Sequence, residues 1–245
     1  MRLSVLGSNS FGNGYLLETV QEALAIEVGV RLSEYKKALG WRLNKVAGAI
    51  VTHEHNDHAG YIGEFVKAGI RVFALPEVFA SHGLLGKPFT KDIAPRAVFK
   101  VGGFKVMAIG VEHDCPCVAY LIEHSDMGKM LFVTDTMIFP YAVPNLSHLM
   151  LEANYADDIL DKRIESGLVP PSMRPRLLKS HLEIENTKGI LSRQDLTRVN
   201  EIILIHLSEG NSNEERFVRE VRELTGKDTY AARAGMTIDV SKTPY

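Results

Sequence analysis

The feature that most constrains this chain is a cluster of polar side chains directly after an apolar run. Val46–Thr52 is apolar and bounded by turn residues, which is typical of a strand buried on both faces of a sheet. The next six positions hold three histidines and one aspartate, namely His53, His55, Asp57 and His58. Imidazole nitrogens and carboxylate oxygens are the ligands that borderline divalent metals prefer. The segment therefore predicts a metal site at the end of a buried strand.

Local geometry divides these four side chains into two groups. His53 and His55 point the same way if the chain continues extended, because side chains alternate along a strand. A helix that begins near Asp57 would direct Asp57 and His58 elsewhere. One short loop could therefore supply ligands to two metal ions that lie close together.

Short β-type runs alternate with helical patterns through the whole chain. The strands fall into two batches, each followed by helices, which is typical of a four-layer αββα sandwich. No linker or repeat stands out, so we expect one domain over residues 1–245. The predicted strands are Arg2–Leu6, Gly14–Thr19, Ala23–Val28, Val46–Thr52, Ile70–Ala74, Val98–Lys100, Phe104–Val111, Val118–Glu123, Met130–Thr134, Leu146–Glu152, Glu201–Leu207 and Thr237–Val240.

Composition excludes several classes of protein. Apolar residues make up 45% of the chain and charged residues 24%, with a net charge of −2, so disorder is excluded and no global charge favours nucleic acid. No apolar run approaches the ~18–20 residues that cross a bilayer, so we expect no membrane partner. The N-terminal apolar stretch is too short for a secretory signal. Cys115 and Cys117 would close a strained ring, so we expect a reduced, cytoplasmic protein.

The histidine segment resembles the signature of metallo-β-lactamase-fold hydrolases, which have the αββα sandwich. The resemblance implies further ligands downstream, and the chain offers one at the end of each of three later predicted strands. By resemblance, the ligands of one ion would be His53, His55 and His113, those of the other Asp57, His58 and His206, and the bridging ligand Asp135. The two divalent ions would be Zn²⁺ or Mn²⁺, and Fe²⁺ also suits these ligands.

Further segments resemble a narrower branch, the YycJ (WalJ)-type enzymes, which are metal-dependent DNA exonucleases. The resemblance implies a DNA substrate, and the related branch that contains tRNase Z leaves RNA open. The chain departs from the branch at Glu27, where Asp is usual, at Glu183, where Ser is usual, and at Cys115–Cys117. The matching segments are Gly7–Asn13, Ala25–Gly29, His113–Asp114, Leu151–Asp157, Leu178–Leu182 and His206–Ser208.

Candidate roles follow from residue chemistry and the resemblance. Two divalent ions about 3.5–4 Å apart supply hydroxide at neutral pH, and Asp57 would orient it. His181 is the candidate for stabilising the phosphate or protonating the leaving oxygen, because imidazole titrates near neutral pH. The candidate phosphate donors are Ser8, Ser10, Asn13, Ser208 and Asn211.

One segment has the positive charge that is expected where a polyanionic substrate binds. Residues 162–198 hold eight Lys and Arg against four acidic residues, and such cations supply most sequence-independent affinity for nucleic acid. Tyr155 is the one aromatic residue close by, so the sequence does not indicate a platform on which bases stack.

Three rival functions stay open. The same ions would serve a hydrolase of a small ester, thioester or lactone, which a cleft without basic residues would favour. A non-haem iron protein is the redox alternative, although the flavodiiron type usually has Glu where His55 stands. A non-catalytic metal scaffold is the third, although it would not need all seven ligands. The sequence does not decide the oligomeric state.

Overall fold

The computed structural model describes residues 1–242 of the protein. Its strands are β1 (Arg2–Asn9), β2 (Gly12–Glu18), β3 (Ala23–Ile26), β4 (Val46–Ile50), β5 (Val72–Ala74), β6 (Thr90–Asp92), β7 (Val98–Val101), β8 (Phe104–Val111), β9 (Cys117–His124), β10 (Gly128–Val133), β11 (His148–Glu152), β12 (Glu201–Ile205), β13 (Asp228–Ala231) and β14 (Thr237–Asp239). Its α-helices are α1 (Leu32–Ala38), α2 (Asn56–Ala59), α3 (Ile62–Lys67), α4 (Pro76–Ser81), α5 (Asp157–Glu165), α6 (Met173–Ser180), α7 (Ile184–Ser192) and α8 (Glu214–Thr225).

The strands form two mixed sheets. The first has the order β14-β1-β2-β3-β4-β5-β6 and the second the order β13-β12-β11-β10-β9-β8-β7. Strands β3 to β6 are parallel to one another, and so are β10 to β13. The carboxyl ends of parallel strands lie on one edge of a sheet, so the loops that follow them gather polar side chains there.

Side-chain alternation divides the second sheet between two apolar layers. Phe132, Met150 and Ile203 pack in the layer shared with the first sheet, where Tyr15 meets Phe132 edge to face with ring centroids 5.6 Å apart. Leu131 and Leu149, one position away on the same strands, pack in the outer layer that α7 and α8 cover. This period of two is what a strand buried on both faces produces. The predicted four-layer αββα sandwich is confirmed.

The sequence prediction missed the short elements. Strands β6 and β13 were not expected, because Thr90–Asp92 and Asp228–Ala231 are short and partly polar and form by pairing with β5 and β12. In residues 1–242, no helix has the length and apolar character that a membrane span requires.

Candidate metal centre

Strand ends bring the predicted metal ligands together at one edge of the sandwich. His55 is the residue that precedes α2, and the first turn of that helix carries Asp57 and His58. The other four follow strands of both sheets: His53 after β4, His113 after β8, Asp135 after β10 and His206 after β12. Ligand candidates that are up to 153 positions apart in sequence therefore meet in one place.

The first group of donor atoms has the spacing of ligands around one cation. Nε2 of His53 lies 3.1 Å from Nδ1 of His55, and that atom lies 3.3 Å from Nε2 of His113. Tetrahedral coordination at 2.0–2.1 Å places neighbouring ligand atoms about 3.3–3.4 Å apart. The Thr52 hydroxyl lies 2.9 Å from Nδ1 of His53, so Nε2 of that ring is the atom turned toward the group.

The second group lies beside the first and shares the Asp135 carboxylate with it. Oδ2 of Asp135 lies 3.4 Å from Nε2 of His53 in the first group and 2.6 Å from Nε2 of His58 in the second. Oδ2 of Asp57 lies 3.3 Å from Nε2 of His58 and 3.1 Å from Nε2 of His206. The donor set therefore fits two cations with Asp135 between them.

Three of the residues at this edge have left-handed backbone. The φ angles are 61° at Glu27, 48° at Asp135 and 55° at His206. This conformation costs a residue other than glycine about 1–2 kcal/mol, and such strain concentrates at functional sites. The tight packing of the strand ends therefore holds these side chains inward at an energetic cost.

Buried carboxylates make the centre attractive to positive charge. Burial lowers the pKa of His206, but the carboxylates of Asp135, Asp57 and Glu152 outweigh it and raise the pKa to about 9. The pKa of His58 is likewise raised, against the effect of burial, by Asp135 and Glu27. Within the described residues, Nδ1 of His58 and Oε1 of Glu27 are buried without a hydrogen-bond partner and lie 3.6 Å apart. Divalent cations would satisfy the same excess of negative charge.

Glu152 connects the end of strand β11 to the metal centre. It follows three apolar residues of that strand, is fully buried, and accepts hydrogen bonds from the backbone N–H groups of Asp135 and Leu182. Its Oε1 lies 2.7 Å from Nδ1 of His181 and 3.1 Å from Nδ1 of His206. The carboxylate therefore orients two of the histidines at the site.

His181 faces the site from α6. Nδ1 of its ring is held by Glu152 and by Oδ1 of Asp135, 3.0 Å away, so Nε2 is the ring atom left for a ligand. Burial lowers the pKa of His181, but Glu152 and Asp135 more than compensate and raise it to about 10. The residue is partly exposed and lines the cavity in front of the metal centre.

That cavity, which we call the site cavity, measures about 540 Å³. A volume in this range suits a small-molecule or nucleotide ligand. Besides His181 and several metal-ligand candidates, its polar lining includes Ser10, Asn154, Arg176, Ser208 and Asn211. Three of the five predicted phosphate donors are therefore at its surface.

The remaining two predicted donors, Ser8 and Asn13, lie behind the site and do not line the cavity. They form a cross-strand pair in the β1–β2 hairpin and are both buried. The Ser8 hydroxyl accepts the backbone N–H of His206, and the Asn13 amide donates to the backbone oxygen of Asp57. These contacts support the metal centre.

The positive segment 162–198 is partly neutralised by its neighbours. Arg174 forms ion pairs with Asp157 and Asp161, and Lys188 pairs with Glu185 and with Glu220 of α8. Arg176 is the cation of this segment that lines the site cavity. The net positive charge of the segment is therefore smaller at the surface than its charge count indicates.

The structure shows the surroundings of two departures from the exonuclease branch. Glu183 caps α7 by accepting the backbone N–H of Glu185, so its carboxylate is not turned toward the site cavity. Cys115 and Cys117 are free cysteines. Burial raises the pKa of Cys115 to about 12, so it is a neutral thiol 4.0 Å from Nε2 of His55.

A four-layer αββα sandwich with paired His and Asp clusters at its strand ends defines a class of metal-dependent hydrolases. The family model described as the metallo-beta-lactamase superfamily matches residues 8–137, which is more than half of the chain. The chain belongs to this superfamily and is one of its hydrolases. The resemblance seen in the histidine segment is confirmed.

Two curated relatives match most of the chain. Exodeoxyribonuclease YycJ of Bacillus anthracis is 27% identical over 233 residues, which cover 88% of this chain and 85% of that protein. Exodeoxyribonuclease WalJ of Streptococcus pneumoniae serotype 2 is 25% identical over 233 residues, with 87% and 84% covered. The resemblance to YycJ (WalJ)-type enzymes is therefore confirmed as well.

Solved structures share the fold over nearly the whole length. The metallo-beta-lactamase fold protein YhfI of Bacillus subtilis has a TM-score of 0.75 at 18% identity and covers 97% of this chain and 98% of its own. The short form of human tRNase Z has a TM-score of 0.64 at 16% identity, with 98% and 99% covered. At these identities the likeness concerns the fold alone.

Proposed function

We propose that this protein is a dinuclear metal-dependent phosphodiesterase that acts on DNA as an exonuclease. The observation that carries the proposal is the pair of donor groups that share Asp135 at the floor of a polar cavity. The names of the curated relatives support DNA as the substrate. The proposed ligands are His53, His55 and His113 for one ion, Asp57, His58 and His206 for the other, and Asp135 for both.

The chemistry needs a nucleophile, charge stabilisation and a proton for the leaving group. Two divalent ions, when bound, supply hydroxide near neutral pH and neutralise charge that develops on the phosphate. Oδ2 of Asp57 lies between His58 and His206, at the edge of the site cavity, so Asp57 orients the nucleophile. Asn13 holds Asp57 in place through its backbone oxygen.

His181 acts on the phosphate from the α6 side of the cavity. Because Glu152 and Asp135 accept from Nδ1, Nε2 points to the ligand and can donate to a phosphate oxygen or to the departing oxygen. Arg176, Ser10, Ser208 and Asn211 add donors around the same cavity. Because these hydrogen-bond donors suit an anionic ester, we rank phosphodiesters above neutral small esters as substrates.

The test is hydrolysis of labelled nucleic acid together with metal analysis. Purified protein is incubated with 5′-labelled duplex DNA, single-stranded DNA and RNA of one sequence, with and without Mn²⁺, and with a lactone and a thioester in parallel. We expect metal-dependent release of mononucleotides from DNA. Hydrolysis of RNA or of the small esters alone would overturn the DNA assignment.

Matched histidine variants exclude a contaminating nuclease. His58→Ala should abolish hydrolysis. His124→Gln, at the far end of β9 where the ring contacts Glu22, should keep it. Cleavage that survives His58→Ala would show that the site is mistaken.

A further inference from the structure

A second groove continues from the site cavity and carries an aromatic side chain that the proposed chemistry does not use. This groove, which we call the Phe11 groove, measures about 480 Å³. Ser10, Asn56 and Asp57 line both the groove and the site cavity, while Phe11 and Tyr61 line the groove only. The groove and the site cavity therefore adjoin along these three residues.

Phe11 presents its ring to solvent from an anchored turn. It is the second residue of the two-residue turn between β1 and β2, and its side chain is 80% exposed. The Asn9 side chain accepts the Phe11 N–H at 2.9 Å. The next residue, Gly12, packs so closely that a Cβ there would lie 2.5 Å from the carbonyl oxygen of Gly29. The backbone of the turn is therefore anchored, and the exposed ring is free to contact a ligand.

Tyr61 lines the same groove. The backbone N–H of Tyr61 donates to the oxygen of Val28, which fixes the residue beside α2. The guanidinium carbon of Arg31 lies 5.3 Å from the centroid of the Tyr61 ring, in a cation–π arrangement, and Arg31 is exposed. Two aromatic side chains therefore line a groove that Asp57 also lines.

We propose that Phe11 and Tyr61 form a stacking subsite for one unpaired nucleobase of the DNA strand. The inference rests on the proposed nuclease function and deepens it, because it assigns single-stranded DNA ends as the preferred substrate. Aromatic faces bind any base without reading its identity. A base within a duplex would first have to leave the stack to enter the groove.

Fluorescence tests stacking independently of hydrolysis. A single-stranded oligonucleotide with 2-aminopurine as its terminal bases and with phosphorothioate linkages, which resist hydrolysis, is titrated with the metal-loaded protein, and quenching of the fluorophore is followed. We expect Phe11→Ala to weaken quenching and to raise the Kd about ten- to hundredfold, the range measured for loss of one stacked base. Phe11→Trp should restore quenching, whereas Phe11→Leu, which keeps apolar volume without an aromatic face, should not.

Kinetics with a matched substrate pair then locate the effect. The KM for a single-stranded thymidine oligomer is compared with that for an oligomer of abasic sugar–phosphate units. Phe11→Ala should raise the KM for the first by the same ten- to hundredfold and leave the second unchanged. Trp41→Ala removes an aromatic ring that is 70% exposed and lines neither the groove nor the cavity, so it is the control.

The outcomes separate this inference from the proposed function. If the DNA oligomer is hydrolysed and Phe11→Ala matches Trp41→Ala in both quenching and KM, the subsite is wrong and the nuclease function stands. If neither oligomer is hydrolysed but quenching is lost in Phe11→Ala, the subsite holds and the nuclease function is wrong. A wild-type preference for blunt duplex ends would also overturn the subsite.

Discussion

Buried carboxylates lie at both ends of the β1–β2 hairpin, and the two ends satisfy them differently. At the end away from the turn, Glu18 is 6% exposed and pairs with Arg2, with Lys45 at 2.5 Å and with Arg42 at 3.8 Å. These cations come from the protein itself, so the charge of Glu18 is compensated by the fold. Such a group of ion pairs needs no ligand.

At the turn end, about 20 Å away along strand β2, Asp135 is buried among histidines. In residues 1–242 no lysine or arginine pairs with Asp135, and its ionic contacts are to His53, His58, His181 and His206. Imidazoles can carry a proton or bind a metal, whereas an ammonium group can do only the first. The comparison indicates that the identity of the neighbours, more than burial itself, distinguishes a structural carboxylate from a metal ligand.

The largest expected effect is that of Asp135→Ala. Because Asp135 is shared by both donor groups, we expect both ions to be lost and hydrolysis to fall by more than about 10³-fold. Elemental analysis and oligonucleotide hydrolysis measure the two effects. Glu18→Gln is the matched control, since it also removes a buried negative charge. Full metal content in Asp135→Ala would contradict the shared-ligand assignment.

Metal removal should lower the thermal stability of the protein through the Asp135 end of the hairpin and not through the Glu18 end. A ligand present at about a thousand times its Kd contributes ~4 kcal/mol to the free energy of unfolding, which corresponds to a fall in Tm of about 8–16 °C on chelation. Thermal unfolding with and without EDTA measures it. We expect the shift in the wild type and in Glu18→Gln but not in Asp135→Ala. Equal shifts in all three would place the stabilising ions elsewhere.

Glu152→Gln should reduce turnover about 10–100-fold, because the carboxylate orients His181 and His206 without lining the site cavity. The pH profile separates positioning from a merely structural role. Glu152 raises the pKa of His181, so its loss should move the basic limb of kcat to lower pH if His181 donates the proton. An unmoved limb would assign the proton to another group.

The smallest expected effect is that of Glu18→Gln, which should cost about 1–3 kcal/mol of stability and leave hydrolysis unchanged. Burial alone would raise the pKa of Glu18, but hydrogen bonds from Lys45 and Arg2 lower it below the usual 4.5. A lowered folded-state pKa contributes stability above pH 4.5 that is lost as the pH falls through the folded value. The difference in Tm from the wild type should therefore be complete at pH 7 and shrink below pH 4.5. A difference that is constant with pH would contradict the ion-pair account.

The fold and the order of the ligand candidates could be predicted from the sequence because both are local patterns. His53 to His58 follow one apolar run directly, and His113, Asp135 and His206 each follow a strand that its own residues indicate. Because parallel strands end on one edge of a sheet, these positions are expected to lie close together even when no side-chain contact is known.

The rest depends on where turns fall and on partners distant in sequence. The hairpin turns at Ser10 and Phe11, so Ser8 lies in the paired strand and faces inward, whereas Ser10 reaches the site cavity. Lys188 is neutralised by Glu220, 32 positions away, which a charge count over one segment does not include. Contacts of this kind exist only after the sheets have packed.

The central claim is that two cations bind on either side of the Asp135 carboxylate, and anomalous diffraction from crystals grown with Zn²⁺ or Mn²⁺ tests it most directly. The account predicts two peaks per chain about 3.5–4 Å apart, one beside His53, His55 and His113 and the other beside Asp57, His58 and His206. A single peak, or peaks that lie away from these side chains, would contradict it.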